Sequence, residues 1–210
     1  MVKKFFIAAI VMGLLGTFFV PEVYAEKLTR KQKKEISLLN IAKTNFENKE
    51  YNIAIEYYTR AIEVNSENAE SYAKRGNARF LIGNYKDAVV DYTKAIELDP
   101  KRENLYYNRG IAKANLNAYE DVVDDYTKEL EINPVNVNAY LNRGSTQVLL
   151  KNYDAAIKDF SIAIGLDSKN ELAYYNRGIA KRNKKDYKGA IEDYTKVIEL
   201  DAQNVDAYNN

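Results

Sequence analysis

The sequence aligns with itself, without gaps, when it is shifted by 34 residues. A tyrosine, an Arg-Gly pair and a set of small and aromatic residues recur at this interval, so one repeat is copied along the chain. A period of this size indicates a solenoid in which each supersecondary element packs against its neighbours. The five repeats span residues 35–68, 69–102, 103–136, 137–170 and 171–204, and residues 205–210 begin a sixth.

Within each repeat, apolar residues recur three or four positions apart, which is the spacing of one helical face. In the second repeat this pattern predicts a helix from about Ala69 to Ile82 and another from about Tyr85 to Leu98. Gly83-Asn84 between them tolerates a left-handed turn. Each repeat is therefore predicted to be a helix hairpin. Because a hairpin with one apolar face cannot bury that face alone, neighbouring hairpins must stack.

Six residues of the second repeat stand in a fixed order of a large residue, Gly, Ala, an aromatic residue, Ala and Pro. They are Tyr72, Gly76, Ala88, Tyr92, Ala95 and Pro100. This order resembles the tetratricopeptide repeat, and the resemblance extends from about residue 35 to the end of the chain. It implies an all-α, right-handed solenoid of stacked antiparallel helix hairpins, with five repeats and the start of a sixth. It also implies a scaffold that holds a protein or peptide partner.

The resemblance implies that the partner lies in a concave groove lined by the first helix of each hairpin. Asparagines stacked at the repeat interval would suit an extended partner, because an amide both donates and accepts hydrogen bonds. The alternative is that they are solvated polar residues on an exposed face. The candidate partner-binding residues are Asn77, Tyr107, Asn108, Leu141, Asn142, Tyr175 and Asn176.

The composition argues against most catalytic chemistry. The chain has no His and no Cys, which removes imidazole bases, thiol nucleophiles and Cys/His metal sites. Its 31 basic and 30 acidic residues give a formal net charge of +1, which provides no global field to attract nucleic acid. We therefore expect a binding protein with no catalytic residues, no metal, no cofactor and no nucleic-acid partner.

The N-terminus reads as a secretory signal peptide over residues 1–25. Lys3 and Lys4 precede an apolar run from Phe5 to Val20, and cleavage is expected after Ala25. The alternative is a retained membrane anchor, but this run is shorter than the roughly 20 residues that a spanning helix needs. The sequence thus predicts an exported protein, periplasmic or extracellular, with no stable membrane span after cleavage. A basic leader, residues 26–34, would precede the repeats.

Charged residues suggest an ion pair inside most hairpins. An arginine recurs in four repeats, and an aspartate follows each of them 16 positions later. The first repeat lacks both, with Ile41 and Tyr57 in their places. A guanidinium near the core needs a partner, and a carboxylate satisfies it with two parallel hydrogen bonds. The predicted pairs are Arg75–Asp91, Arg109–Asp125, Arg143–Asp159 and Arg177–Asp193.

One departure from the repeat predicts a weak junction. Glu129 stands where the first, second and fourth repeats have alanine. A glutamate at a close helix contact must swing out to solvent or hold the helices apart. We therefore expect the junction between the third and fourth hairpins to be the weakest in the array, and replacement of Glu129 with alanine to raise the melting temperature.

The sixth repeat is too short to form a covering hairpin. We expect Ile191, Tyr194 and Ile198 to face outward, and a longer native chain, a partner or end-to-end self-association to cover them. An alternative function follows from the same observation. The chain would then be a structural spacer, or a fragment of a larger repeat protein whose active or anchoring domain lies beyond residue 210.

Overall fold

All regular secondary structure between residues 28 and 210, the range that a computed structural model describes, is helical. The described chain forms two compact units, with the boundary between Leu98 and Asp99. The predicted signal peptide, residues 1–25, lies outside the described residues. In both units consecutive helices pair as antiparallel hairpins, which confirms the predicted all-α, tetratricopeptide-like solenoid fold.

The first unit contains two hairpins. Hairpin 1 consists of α1 (Arg30–Glu47) and α2 (Tyr51–Val64), and hairpin 2 consists of α3 (Ala69–Leu81) and α4 (Tyr85–Leu98). The bounds of hairpin 2 agree with the prediction to within one residue. Residues 30–34 of the predicted basic leader form the first turn of α1, which begins at a capping box between Thr29 and Gln32.

The second unit contains three hairpins and a final short helix. The elements are hairpin 3, α5 (Leu105–Ala114) and α6 (Tyr119–Ile132); hairpin 4, α7 (Val137–Leu149) and α8 (Tyr153–Leu166); hairpin 5, α9 (Glu171–Asn183) and α10 (Tyr187–Leu200); and α11 (Val205–Asn209). An asparagine side chain caps the N-terminus of α7, α9 and α11 by accepting from a backbone N–H.

The recurrent glycine lets the two helices of a hairpin approach closely. A Cβ atom built on Gly144 would lie 2.7 Å from the ring of Phe160, and one on Gly178 would lie 2.6 Å from the ring of Tyr194. Phe160 is completely buried. The aromatic ring of the second helix therefore occupies the space that any other residue at the glycine position would need.

The predicted ion pairs are confirmed in all four hairpins. The distance between arginine Nη2 and aspartate Oδ1 lies between 2.5 and 2.7 Å, and the arginine Nε donates to the same carboxylate. Each carboxylate side chain is no more than 5% exposed. The pairing is thus the bidentate arrangement that satisfies a partly buried guanidinium.

The same arginines also connect neighbouring hairpins within each unit. In the first unit Arg75 donates through Nη1 to Thr59 Oγ1 of hairpin 1, at 3.0 Å. In the second unit Arg143 donates in the same way to Thr127 Oγ1, and Arg177 to Ser161 Oγ. Each of these side chains therefore ties two helices of one hairpin to the second helix of the preceding one.

The side chain of Glu129 does not swing out to solvent, which was one of the two outcomes expected for it. It is fully buried and accepts hydrogen bonds from two donors. Asn104 N–H donates to one oxygen at 3.1 Å, and Asn136 Nδ2 donates to the other at 3.2 Å. Arg102 replaces the capping asparagine before α5, and α5 begins only at Leu105. Glu129 thus places a negative charge at the start of a helix that lacks its side-chain cap.

With this geometry, replacing Glu129 with alanine should lower, not raise, the free energy of unfolding by about 1–2 kcal/mol, because two hydrogen bonds to a buried carboxylate are lost. Glu129→Gln should cost less, since the amide oxygen still accepts one bond. The control is Glu131→Ala, whose side chain is 57% exposed and pairs with Lys128 at the surface. That change should stay within about 0.5 kcal/mol. Urea unfolding followed by circular dichroism measures all three, and a stabilised Glu129→Ala protein would contradict this role.

The end of the second unit differs from the expectation in one residue. Tyr194 is buried, at 5% exposure, whereas Ile191 is 65% exposed and Ile198 is half-buried. The short helix α11 buries Ala207 and is held by a hydrogen bond from Asn204 Nδ2 to Glu171 Oε1. The prediction that Tyr194 faces outward is therefore wrong, because the hairpin's own glycine contact encloses its ring.

Candidate functional site

The candidate groove of the second unit lies along α5, α7 and α9. Equivalent positions of these helices recur at the 34-residue interval, so Tyr107, Leu141 and Tyr175 form one column and Asn108, Asn142 and Asn176 form the adjacent column. Tyr107, Asn142 and Tyr175 are half-buried on this face, and so is Asn176. The groove therefore presents amide and phenol groups next to aromatic rings, the mixture of polar and aromatic groups typical of interaction surfaces.

Tyrosine and asparagine side chains from successive hairpins bond to each other along this face. Asn142 Nδ2 donates to Tyr107 Oη at 3.2 Å, and Asn210 Nδ2 donates to Tyr175 Oη at 3.1 Å. Both bonds join residues 35 positions apart. The amide N–H₂ group of Asn142 is thus already engaged within the face.

Leu141 interrupts this series of bonds. The repeat places Leu141 in the tyrosine column, opposite Asn176, and a leucine has no oxygen for the amide to contact. Asn176 consequently has no hydrogen-bond partner for its side chain among residues 28–210. Leu141 itself is 5% exposed and packs in a core cluster with Ala156 and Phe160. Its predicted role as a direct partner contact is therefore corrected to that of a buried support beneath the groove.

The other predicted residues do not all join this surface. Asn108 is half-buried on α5, within the same unit. Asn77 belongs to the first unit, where its Oδ1 accepts a hydrogen bond from Tyr92 Oη at 2.8 Å. Asn77 is therefore a structural partner of a buried tyrosine, and the candidate site is confined to residues of α5, α7 and α9.

The groove tyrosines rest on buried tyrosines of the second helices. The ring centroids of Tyr107 and Tyr126 lie 5.8 Å apart, and those of Tyr175 and Tyr194 lie 5.9 Å apart. Burial raises the pKa of Tyr107, although the hydrogen bond from Asn142 acts in the opposite direction. Tyr107 is thus a neutral phenol at physiological pH, and its hydroxyl can donate to a ligand while it accepts from Asn142.

Five basic residues cluster around the turn of hairpin 5: Lys181, Arg182, Lys184, Lys185 and Lys188. Three of their side chains have partners inside the chain. Lys181 pairs with Asp193 at 2.8 Å, Lys184 contacts Asp154, and Arg182 contacts Asn210. These contacts favour a structural role for most of the cluster. Within the described range, no group of three or more acidic side chains is arranged to hold a metal ion.

Comparison with protein families agrees with this geometry. Family models described as TPR repeat and tetratricopeptide repeat match residues 36–68, 76–117, 137–170 and 172–204. These ranges include most of the five hairpins. The chain belongs to the tetratricopeptide repeat family. Proteins of this family are in general non-enzymatic scaffolds for interaction with proteins and peptides.

Solved structures share the tetratricopeptide fold at low sequence identity. YrrB, described as a TPR protein with an unusual peptide-binding site, is 22% identical, with a TM-score of 0.79, and the match covers 90% of this chain and 97% of YrrB. A crystal structure of MamA is 21% identical, with a TM-score of 0.78 and coverages of 83% and 95%. MamA from Desulfovibrio magneticus RS-1, residues 41 to the end, is 22% identical, with a TM-score of 0.77 and coverages of 82% and 97%. These likenesses concern the fold.

A search of curated protein sequences finds no significant match. The helices between residues 28 and 210 include none with the length and apolar character needed to cross a membrane.

Proposed function

We propose that this protein is an exported scaffold that binds an extended peptide segment of a protein partner in the groove on α5, α7 and α9. The observation that carries the proposal is the unpaired amide of Asn176. A half-buried amide without a partner is costly to desolvate, and a peptide backbone offers the N–H and C=O groups that would satisfy it. Tyr175 and Ile179 flank it as half-buried apolar contacts.

The groove would bind its ligand mainly through hydrogen bonds to the peptide backbone, and less through contacts with the ligand's side chains. The Asn142 oxygen accepts from a peptide N–H, the Tyr107 hydroxyl donates to a peptide carbonyl, and the Asn176 amide does both. Such contacts tolerate many sequences, while the neighbouring aromatic rings favour apolar or aromatic ligand residues. A scaffold of this kind requires neither a metal nor a cofactor.

Selection of linear peptides from a random display library against the purified protein tests the groove. We expect Asn176→Ala and Tyr175→Ala each to weaken binding of the selected peptides about tenfold, which corresponds to about 1.4 kcal/mol. Lys188→Ala, which changes an exposed residue in the first turn of α10, is the control and should bind as the parent does. Circular dichroism confirms that each variant is folded.

The contribution of the peptide backbone is tested separately by N-methylating the selected peptide at one position at a time. Methylation removes one N–H donor, and we expect one or two positions to lose binding. If all methylated peptides bind equally, or if both groove variants retain full affinity, the proposed groove is wrong.

Export is tested in the native cell by fractionation and by sequencing the mature N-terminus. The expected mature chain begins at Glu26 and is found outside the cytoplasm. A cytoplasmic protein that retains Met1 would contradict this part of the proposal.

A further inference from the structure

In three hairpins a second cation binds the buried aspartate. Arg79 contacts Asp91 at 2.8 Å in hairpin 2, Lys113 contacts Asp125 at 3.0 Å in hairpin 3, and Lys181 contacts Asp193 at 2.8 Å in hairpin 5. Each of these basic residues lies four positions after the recurrent arginine, one helical turn away. The aspartate therefore holds two cations in each of these hairpins.

Hairpin 4 lacks the second cation. Gln147 stands in that column, and its side-chain oxygen accepts from Asn152 Nδ2 at 2.9 Å instead of approaching the aspartate. Arg143 is the cation that contacts Asp159, whose side chain is only 5% exposed. The Oδ2 atom of Asp159 receives the Arg143 Nε bond at 2.8 Å and has capacity for a second donor.

A cavity of about 230 Å³ opens at the place of the missing side chain. In hairpin 5 the ammonium of Lys181 also donates to the backbone oxygen of Gly189, at 3.2 Å. Ala155 is the residue of hairpin 4 that corresponds to Gly189, and it lines the cavity together with Asp159. The cavity therefore coincides with the position that the second cation fills elsewhere. Its remaining lining residues are Val123, Thr127, Arg143, Gln147 and Lys158.

We propose that this cavity binds the cationic side chain of a lysine or arginine from a protein partner, with Asp159 Oδ2 and the Ala155 carbonyl as acceptors. Hairpins 2, 3 and 5 place a lysine or arginine of this chain against the same two kinds of atoms or against the aspartate alone. The cavity is smaller than the roughly 300–1,000 Å³ of typical small-molecule sites, so it suits one inserted side chain.

The site is independent of the peptide groove. Neither Leu141 nor Asn142 lines the cavity, and Arg143 and Gln147 are rotated from Asn142 by about 100° and 140° around α7, at about 100° per residue. A partner could therefore occupy the cavity whether or not the groove holds a peptide. The proposal does not rest on the proposed groove function.

The charges around the cavity favour a cationic ligand group over an anionic one. The guanidinium of Arg143 donates two hydrogen bonds to Asp159 and one to Thr127. Lys158 is exposed at the rim of the cavity. Lys158 opposes an incoming cation, but it is solvated and its repulsion is screened. An anion would meet the buried carboxylate of Asp159 instead. In hairpin 2, the equivalent carboxylate of Asp91 holds two guanidinium groups at once, so one aspartate can accept a second cation.

The test uses n-butylammonium as a mimic of the lysine side chain and n-butanol as its neutral counterpart, titrated into the purified protein and followed by NMR. We expect saturable shifts at the amides of Ala155, Lys158 and Asp159 with n-butylammonium in the millimolar range, and no saturable shifts with n-butanol. Lys158→Ala should tighten binding by no more than about twofold, because it removes a like charge that solvent already screens.

Two substitutions add the second cation to hairpin 4 and remove it from hairpin 5. Gln147→Arg, which gives hairpin 4 the residue that hairpin 2 has at Arg79, should fill the cavity and abolish the response around Asp159. Lys181→Gln should leave Asp193 with one cation and create a second binding position there. Persistence of the response in Gln147→Arg, equal responses to n-butylammonium and n-butanol, or shifts spread only over exposed carboxylates would each overturn the proposal.

Discussion

Replacing Gly144 with alanine should lower the free energy of unfolding by about 2–3 kcal/mol, the upper part of the range for overpacking a core. The added methyl carbon would lie 2.7 Å from Phe160 Cε1 and 2.9 Å from Cζ. Phe160 cannot turn away, because its side chain is completely buried in the cluster that also contains Leu141 and Ala163. The two helices of hairpin 4 would have to separate, and their shared core would lose contacts along its length.

Gly165 provides the matched control in the same hairpin. It lies inside α8, and a Cβ atom added there meets no atom within 4 Å. Gly165→Ala should therefore raise the free energy of unfolding by about 0.5–1 kcal/mol, because alanine loses less backbone entropy in a helix. Urea unfolding of both variants measures the difference. Equal effects of the two substitutions would mean that the close approach at Gly144 does not limit the packing of hairpin 4.

The features that the sequence predicted well are those that recur at the repeat interval. Gly144 and Phe160 recur because every hairpin must solve the same packing problem, and Arg143 and Asp159 recur because a partly buried guanidinium always needs its carboxylate. Residues that recur together in the repeats therefore predict which side chains are in contact within a hairpin. The absence of both charges from the first repeat, at Ile41 and Tyr57, supports the same reasoning.

The features that the sequence did not predict depend on single residues in three-dimensional context. Lys151 has a φ angle of 61° at the turn of hairpin 4, and Lys49 has 63° at the turn of hairpin 1. A left-handed lysine costs about 1–2 kcal/mol, so its conformation is imposed by the pairing of the flanking helices and not by its own preference. Glu129 likewise departs from a small-residue column, and its hydrogen bonds from Asn104 and Asn136 can be assigned only when the late start of α5 is known.

The helices that carry the candidate groove residues were predicted, whereas the contacts of these residues were not. The repeat correctly places Tyr107, Asn142 and Asn176 on first helices of one unit, because residue spacing determines a helical face. Spacing does not reveal that Asn142 bonds to Tyr107 or that Leu141 is buried. Both facts depend on the offset between successive hairpins, which brings residues 35 positions apart into contact. The same offset leaves Asn176 without a partner and so distinguishes it from the other asparagines.

Replacing Asp91 with asparagine should lower the free energy of unfolding by about 2–4 kcal/mol. This loss is smaller than that for breaking a fully buried ion pair, because the two arginines retain some access to water. The Asp91 side chain is 1% exposed, while those of Arg75 and Arg79 are 12% and 20% exposed. Its two oxygens accept from Nε and Nη2 of Arg75 and from Nη1 of Arg79. The amide of asparagine keeps one acceptor oxygen and turns a donor toward a guanidinium. The guanidinium groups of Arg75 and Arg79 would therefore lose the negative charge that balances them.

An exposed ion pair serves as the control for Asp91. Asp154 contacts Lys184, but the aspartate side chain is 80% exposed. Asp154→Asn should change the free energy of unfolding by less than about 0.5 kcal/mol, because solvent screens the pair and already hydrates both ions. Urea unfolding at neutral pH compares the two substitutions. A loss at Asp91 as small as that at Asp154 would mean that burial adds nothing to the pairing.

Asp159→Asn provides a further comparison, because Asp159 holds one cation where Asp91 holds two. Its carboxylate accepts two hydrogen bonds from Arg143, whereas that of Asp91 accepts three from Arg75 and Arg79. The loss at Asp159 should therefore be smaller than the loss at Asp91. In a Gln147→Arg background, the Asp159→Asn loss should increase toward that of Asp91, because a second guanidinium then depends on the same carboxylate. If the Gln147→Arg substitution leaves the Asp159→Asn loss unchanged, the second cation contributes nothing to stability in these hairpins.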